Sequence, residues 1–258
     1  MRKSIFAGKF YPENKQELEF SLKNLVNKNQ EKRNAKAIIV PHAGYEFSGK
    51  TAGKAFSKLK DFNLAVIIGT NHNSSSVCIS LEDFETPLGK IRNAEESGKL
   101  ADSIEVNEEI HKKEHSIEVV LPFIQHLNPN AEIIPILPSM KKEENKELAK
   151  KIYNTIRRPF VFIISSDFTH AGNSYGFPIS YERAGELDKL AIKNIEKLDE
   201  EGFWNIARKT TICGRNSILV GIELAKFLQL KPELVDISSS SSITGKKDFV
   251  NYVSIGFE

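Results

Sequence analysis

Apolar runs of two kinds alternate along the chain. Residues 37–40 (AIIV), 65–68 (AVII) and 160–164 (FVFII) are wholly apolar, and 131–137 is broken only by Glu132. Short runs without polar alternation fit strands buried on both faces. Between them, apolar positions recur every three or four residues, as on one face of a helix. This spacing predicts a helix over 16–28, where Leu18, Leu22, Leu25 and Val26 share a stripe, and another over 48–59 with Ser48 as N-cap. Further helices are expected over 116–127, 142–156, 181–198, 203–209 and 214–228. Pro122 must sit early in the 116–127 helix or kink it. Segments 78–86 and 90–92 flank Pro87-Leu88-Gly89 and predict a hairpin, while 234–238 and 249–257 predict closing strands joined by the serine-rich edge or turn 238–242. Strands alternating with helices, with no repeat or composition break, predict one α/β domain over 1–258. Its sheet is mostly parallel and flanked by helices.

The ends of the buried runs carry the chemistry. The first leads into Pro41-His42-Ala43-Gly44-Tyr45, the second into Gly69-Thr70-Asn71-His72, and the third into Ser165-Ser166-Asp167-Phe168-Thr169-His170. In open α/β sheets, sites form beyond the carboxyl ends of the strands, so His42, His72, Asp167 and His170 are expected at one edge. His42 and His72, after strands expected to be neighbours, could share a metal; the alternative is that each caps a turn. Asp167 could orient His170 and raise its basicity, or simply form an Asx-type turn. Cys213 precedes a helix and is followed by Arg215, a setting that favours thiolate, although cysteine is also a common small core residue. In Glu114-His115-Ser116-Ile117-Glu118, His115 and Glu118 share a helix face and could form an acid/base pair; Ser116 as cap with Glu118 in the first turn is the structural alternative. Cys78 is expected in packing, and His111 and His126 at the surface.

Composition narrows the function classes. The chain has 36 basic and 34 acidic side chains, a net charge of +2, and no concentrated basic region that would suit nucleic acid. No apolar stretch approaches the roughly 20 residues needed to span a bilayer, and 1–16 has no signal-type apolar region, so the cytoplasm is the expected compartment. The two cysteines are expected there as free thiols. No G-x-G-x-x-G, P-loop, H-E-x-x-H or G-x-S-x-G is present, which removes the common nucleotide-binding, zincin and hydrolase readings.

Taken in order, these blocks resemble the Memo (mediator of cell motility) family, which is related to the class III extradiol ring-cleaving dioxygenases. The resemblance rests on Ala7-Gly8-Lys9-Phe10-Tyr11-Pro12, Pro41-His42-Ala43-Gly44-Tyr45 with Ser48-Gly49, and Gly69-Thr70-Asn71-His72. It continues through Thr86-Pro87-Leu88-Gly89, Glu114 to Glu118 with Leu121-Pro122-Phe123, Ser165 to His170, and Ile212-Cys213-Gly214-Arg215. It implies a dioxygenase-like α/β domain with one metal held by His42, His72 and Cys213: Fe(II) first, with copper or zinc as alternatives. It also implies His170, Asp167 and His115 as catalytic groups around the metal, with Tyr45 and Arg215 as substrate contacts. In the related dioxygenases the third ligand is a carboxylate; Cys213 departs from that pattern. Ala171 stands where some relatives carry an aromatic, which implies a more open pocket wall. The implied function is a non-haem metal-binding redox or dioxygenase-like protein. The alternatives are a binding module for peptides or anionic ligands and a metal carrier. The implied partners are a small molecule or peptide, with a pathway link to a radical S-adenosylmethionine protein and an AMMECR-like protein, and neither nucleic acid nor membrane.

Overall fold

The structure is a computed structural model that describes residues 1–27 and 34–258. Helix α1 (Lys15–Leu25) is capped by Asn14, whose side chain accepts from the backbone N–H groups of Gln16 and Glu17; position 28, the expected end of this helix, lies outside the described residues. There follow β1 (Ala37–Val40), α2 (Tyr45–Lys58), β2 (Leu64–Ile68), β3 (Cys78–Ile79) and the hairpin β4 (Phe84–Thr86) and β5 (Gly89–Asn93). Then come α3 (Glu96–Ala101), β6 (Glu105–Val106), α4 (Glu108–Lys113), α5 (His115–Glu118), α6 (Leu121–Leu127), β7 (Glu132–Leu137), α7 (Lys142–Thr155) and β8 (Val161–Ser165). The chain closes with β9 (His170–Ala171), α8 (Tyr181–Glu196), α9 (Glu200–Ala207), α10 (Arg215–Phe227), β10 (Pro232–Ser239), α11 (Ser241–Thr244) and β11 (Phe249–Phe257).

Strands β1, β8, β2 and β7 lie side by side and parallel, the buried heart of a sheet ordered β10-β11-β1-β8-β2-β7-β3-β6. Strand β11 closes one side antiparallel to β1, and β3 closes the other antiparallel to β7. Alternate residues feed opposite cores. Ile38, Val40, Ala65, Ile67 and Ile163 pack with Leu18, Leu22, Phe56 and Phe123 from α1, α2 and α6. Ile39, Val66, Ile68, Phe162 and Ile164 pack with Leu148, Ile152, Ile218 and Ile222 from α7 and α10. A strand covered on both faces has no reason to alternate polar with apolar residues. The sheet is thus mixed but mostly parallel at its centre, with helices on both faces, as the alternating pattern predicts.

Several local expectations change. Helix α2 starts at Tyr45 with Gly44 as N-cap, and Ser48 is not the cap; its hydroxyl donates back to the Ala43 carbonyl at 2.9 Å. The 116–127 helix is two, α5 and α6, because Pro122 in the first turn of α6 has no N–H to continue the α5 ladder. Glu114, not Ser116, caps α5: its carboxylate accepts from Ser116 N, while the Ser116 hydroxyl donates to the Thr70 carbonyl. Strand β3 leaves the expected 78–86 arm to pair with β7 and β6, so the hairpin is only β4 and β5. His111 is buried rather than at the surface, with Nε2 3.5 Å from the Cys78 carbonyl, and burial pushes its imidazole down to about 4. No helix among the described residues is long and apolar enough to cross a membrane.

Gly69 shows how tightly α5 is drawn onto the end of β2. A Cβ there would lie 2.6 Å from Ile117 Cγ1 and 2.8 Å from Ser116 Oγ. Gly69→Ala is therefore expected to lower stability by about 1–3 kcal/mol, the usual cost of overpacking, read as a lower urea midpoint at an unchanged m-value.

Candidate metal centre

The parallel order puts the ends of β1, β8 and β2 in a row, and their following residues deliver His42, Asp167 and His72 to the same edge. The strands that carry the two histidines are not neighbours, as the sequence suggested; β8 lies between them. Two inter-strand spacings amount to roughly 9.6 Å, yet the rings turn inward and their centroids are 5.5 Å apart. Cys213, in the turn before α10, comes down over the β8 end. Its sulfur is 3.4 Å from His42 Nε2 and receives the Asp167 backbone N–H at 3.3 Å. One donor atom from each of His42, His72 and Cys213 lies within 4.8 Å of the others.

Both imidazoles are held from behind. The Ser165 hydroxyl donates its one proton to the Ser116 carbonyl at 2.7 Å, so at 2.9 Å it must accept from His42 Nδ1–H. That leaves His42 Nε2 with a lone pair facing the sulfur. His72 Nδ1 meets Glu114 Oε1 at 2.9 Å, and the same carboxylate accepts the His72 backbone N–H, also at 2.9 Å. A carboxylate behind Nδ1 fixes the ring and turns Nε2 outward. Glu114 is the residue that sequence reasoning missed. It stood in the motif, but only the structure shows that its side chain holds His72, with His115 Nδ1 3.4 Å from the same oxygen; a histidine 42 positions away in the chain gave no local signal.

His115 stacks on His72 at 4.7 Å between centroids and meets His42 edge-on at 5.1 Å. Its other side is covered by Phe10 and Phe6, at 4.9 and 5.7 Å. His170 is oriented, but not by Asp167: its Nδ1 donates to the carbonyls of Phe168 (2.9 Å) and Thr211 (3.1 Å). The Asp167 carboxylate instead accepts the His42 backbone N–H at 2.8 Å. Asp167 thus fixes the turn that presents His42. Tyr45 is turned into the core, with its hydroxyl donating to the Val119 carbonyl at 2.9 Å and its ring against Tyr11 and Phe123. Arg215 opens α10, half-buried, with no ion-pair partner among the described residues.

Glu118 has no part in an acid/base pair with His115. It is fully buried and clamps the N-terminal segment, accepting from Arg2 Nη2 (3.0 Å), Ile5 N (3.0 Å), Phe6 N (2.8 Å) and Tyr11 Oη (2.9 Å).

The electrostatics are sharply divided. Burial pushes His42 well below the ordinary imidazole range, and the neighbouring His115 and His72 push it the same way. Burial would also lower His72, but hydrogen bonds and charge from Cys213 and Glu114 raise it to about 10. Burial would raise Glu114, yet the hydrogen bonds and charge of His72 hold it near 2. The space between the Glu114 carboxylate and the Cys213 sulfur therefore favours positive charge. Two imidazoles and one sulfur, with the far side of each ring pinned, suit a borderline first-row metal such as iron, copper or zinc far better than a hard cation.

The Memo-like protein family model matches residues 2–255, nearly the whole chain. The chain belongs to the Memo family. Among its relatives are MEMO1 family proteins of Archaeoglobus fulgidus, 33% identical over 100% of this chain and 99% of the relative, and of Pyrococcus furiosus, 33% identical over 99% and 98%. Another, from Methanosarcina mazei, is 34% identical over 97% of this chain and 96% of its own. The fold of the Memo family is extradiol-dioxygenase-like.

In this Memo-family chain the buried Glu118 clamp on Arg2 and the N-terminal segment can be tested directly. Glu118→Ala would leave the Arg2 cation buried without its carboxylate, and such losses cost about 3–5 kcal/mol. Equilibrium unfolding in denaturant should show a loss of that size; a loss below about 1 kcal/mol, the range of an exposed pair, would contradict the buried geometry.

Proposed function

We propose that this protein binds one metal ion, iron before copper or zinc, through His42, His72 and Cys213, and acts as a non-haem redox or dioxygenase-like protein. The observation that carries this reading is the convergence of three donor atoms within 4.8 Å, with the far nitrogen of each imidazole already committed to Ser165 or Glu114. Ligand histidines held by outer hydrogen bonds are the usual construction of a metal site, whereas a histidine that merely caps a turn needs no such backing. Two histidines and one anionic ligand follow the logic of the facial triad, with sulfur in place of oxygen. Iron or copper held there would supply Lewis acidity and redox exchange, and zinc Lewis acidity alone.

The protein's own groups then have separable roles. His170 donates Nδ1–H to two carbonyls, which leaves Nε2 as a lone pair able to take a proton from a bound ligand. His115, partly exposed and walled by Phe6 and Phe10, packs against both His72 and His42 and can orient a ligand. Asp167 holds the His42 turn. A second reading, a pocket that binds an anionic small molecule or peptide end without turnover, draws on Arg215, whose guanidinium has no carboxylate partner among the described residues. Both cysteines are free thiols, which fits a reducing cytoplasm.

Elemental analysis of anaerobically purified protein tests the first reading. His72→Ala and Cys213→Ala should each lose most of the bound metal, and Glu114→Gln should weaken binding by about 10–100-fold, as for other outer partners of ligand histidines. Stoichiometric metal in both alanine variants would sink the assignment. Metal-free protein that binds its ligand as well as the metal-loaded form would favour the second reading.

A further inference from the structure

We propose that Arg2 is a positioning residue of this metal centre, acting through Glu114 to aim His72. The inference rests on the metal-binding reading above. Arg2 is buried, with only 3% of its surface exposed. Its Nη2 donates to the Glu114 backbone carbonyl at 2.7 Å and to Glu118 Oε2 at 3.0 Å, while Nε and Nη1 have no hydrogen-bond partner among the described residues. The rest of the guanidinium rests on the Phe84 ring, 4.8 Å from its centre. Burying a cation with unpaired N–H groups is costly. Apolar side chains in place of a buried ion pair commonly match or exceed its stability, so stability alone gives no reason for an arginine here.

What an apolar residue cannot do is hold the Glu114 carbonyl. Glu114 is the cap of α5, and its carboxylate takes both His72 Nδ1 and the His72 backbone N–H. Any rotation of the Glu114 peptide swings that carboxylate and the imidazole it holds. The backbone of Arg2 is itself firmly anchored. Its N–H donates to the Asp83 carbonyl, and its carbonyl accepts from Glu85 N, each at 2.8 Å. Arg2 therefore spans from the β4 edge to the cap of α5. Glu118 ties the following residues down through Ile5, Phe6 and Tyr11, so the N-terminal segment and the His72 geometry are one mechanical unit.

The test uses Co(II) as a spectroscopic probe in the full chain, comparing wild type with Arg2→Lys and with Arg2→Met/Glu118→Gln. The double variant removes the buried cation, while the amide oxygen introduced at position 118 can still accept from the Ile5 and Phe6 backbone and from Tyr11. Affinity is measured by competition with a chromophoric chelator, coordination by the ligand-field and sulfur-to-metal bands, and stability by thermal melting of the metal-free protein. A positioning role predicts that the double variant melts close to wild type yet binds Co(II) about tenfold more weakly with displaced ligand-field bands. Arg2→Lys, which keeps the cation without the planar fork, should fall between the two. Wild-type affinity and unshifted bands in Arg2→Lys and in every folded variant would overturn the role, whatever the melting temperatures. Absence of Co(II) binding in wild type would overturn the metal centre itself and this inference with it.

Discussion

The site depends first on one buried carboxylate. Glu114 is fully enclosed and accepts from four donors: His72 Nδ1 and the backbone N–H groups of His72 and Ser116, each at 2.9 Å, and Asn73 Nδ2 at 3.2 Å. A buried carboxylate is tolerable only when its lone pairs are used. Here their use joins two segments that no strand pairing connects, the loop after β2 and the start of α5. The same junction is tightened by Ser116 donating to the Thr70 carbonyl and by the close approach of Ile117 to Gly69. Position of the cap, tautomer of His72 and seating of α5 are therefore one constraint, and His115 inherits its place beside His72 from it.

The second constraint is the sheet order. Because β8 lies between β1 and β2, the polar residues at its end sit between the two histidines. Ser165 uses its hydroxyl as a relay, donating to Ser116 and accepting from His42, while Asp167 holds the His42 backbone and gives its own N–H to the Cys213 sulfur. Adjacent β1 and β2 would leave no strand end to carry these groups. Insertion of β8 separates the histidines by two strand spacings and supplies Ser165 and Asp167, which hold His42, while Glu114 at the start of α5 fixes the ring of His72.

That insertion explains what could and could not be read from the chain. The all-apolar strands, their helix-covered faces and the gathering of His42, His72 and Asp167 at one edge follow from local pattern, since a strand buried on both faces has a distinctive composition and its carboxyl end has a predictable place. Which strands are neighbours is a long-range choice that composition does not encode, so the histidine strands looked adjacent when they are not. The Asp167–His170 pairing failed for a related reason. Close in sequence, the two groups looked like hydrogen-bond partners, but Asp167 takes the His42 backbone N–H and His170 the Phe168 and Thr211 carbonyls, so His170 acts on Asp167 only through its charge. Arg2 and Glu118 were beyond reach altogether: both are charged and 116 positions apart, and nothing local marks a charged residue at the start of a chain as buried. The short helices α3 and α4, ESGKLA and EEIHKK, lack the apolar stripe on which periodicity depends.

The cysteine at the third donor position is matched by the backbone around it. Gly214 is pressed so closely on the β8 end that a Cβ would stand 2.4 Å from Ser166 Cβ and 2.7 Å from Thr70 Oγ1. The main chain at 213 is thus already at the site, and a side chain ending at its γ atom suffices to reach His42 Nε2. A glutamate here would carry its oxygens two bonds further from the backbone and overrun the gap unless the start of α10 withdrew. Glycine at 214, which allows the approach, and sulfur at 213, which needs it, are consistent with each other and with the Asp167 N–H aimed at the sulfur. The cysteine at 213 is therefore matched to the position of its own backbone. The surrounding backbone has the geometry that a short donor at 213 requires, so the proposed centre is one in which the third donor is sulfur.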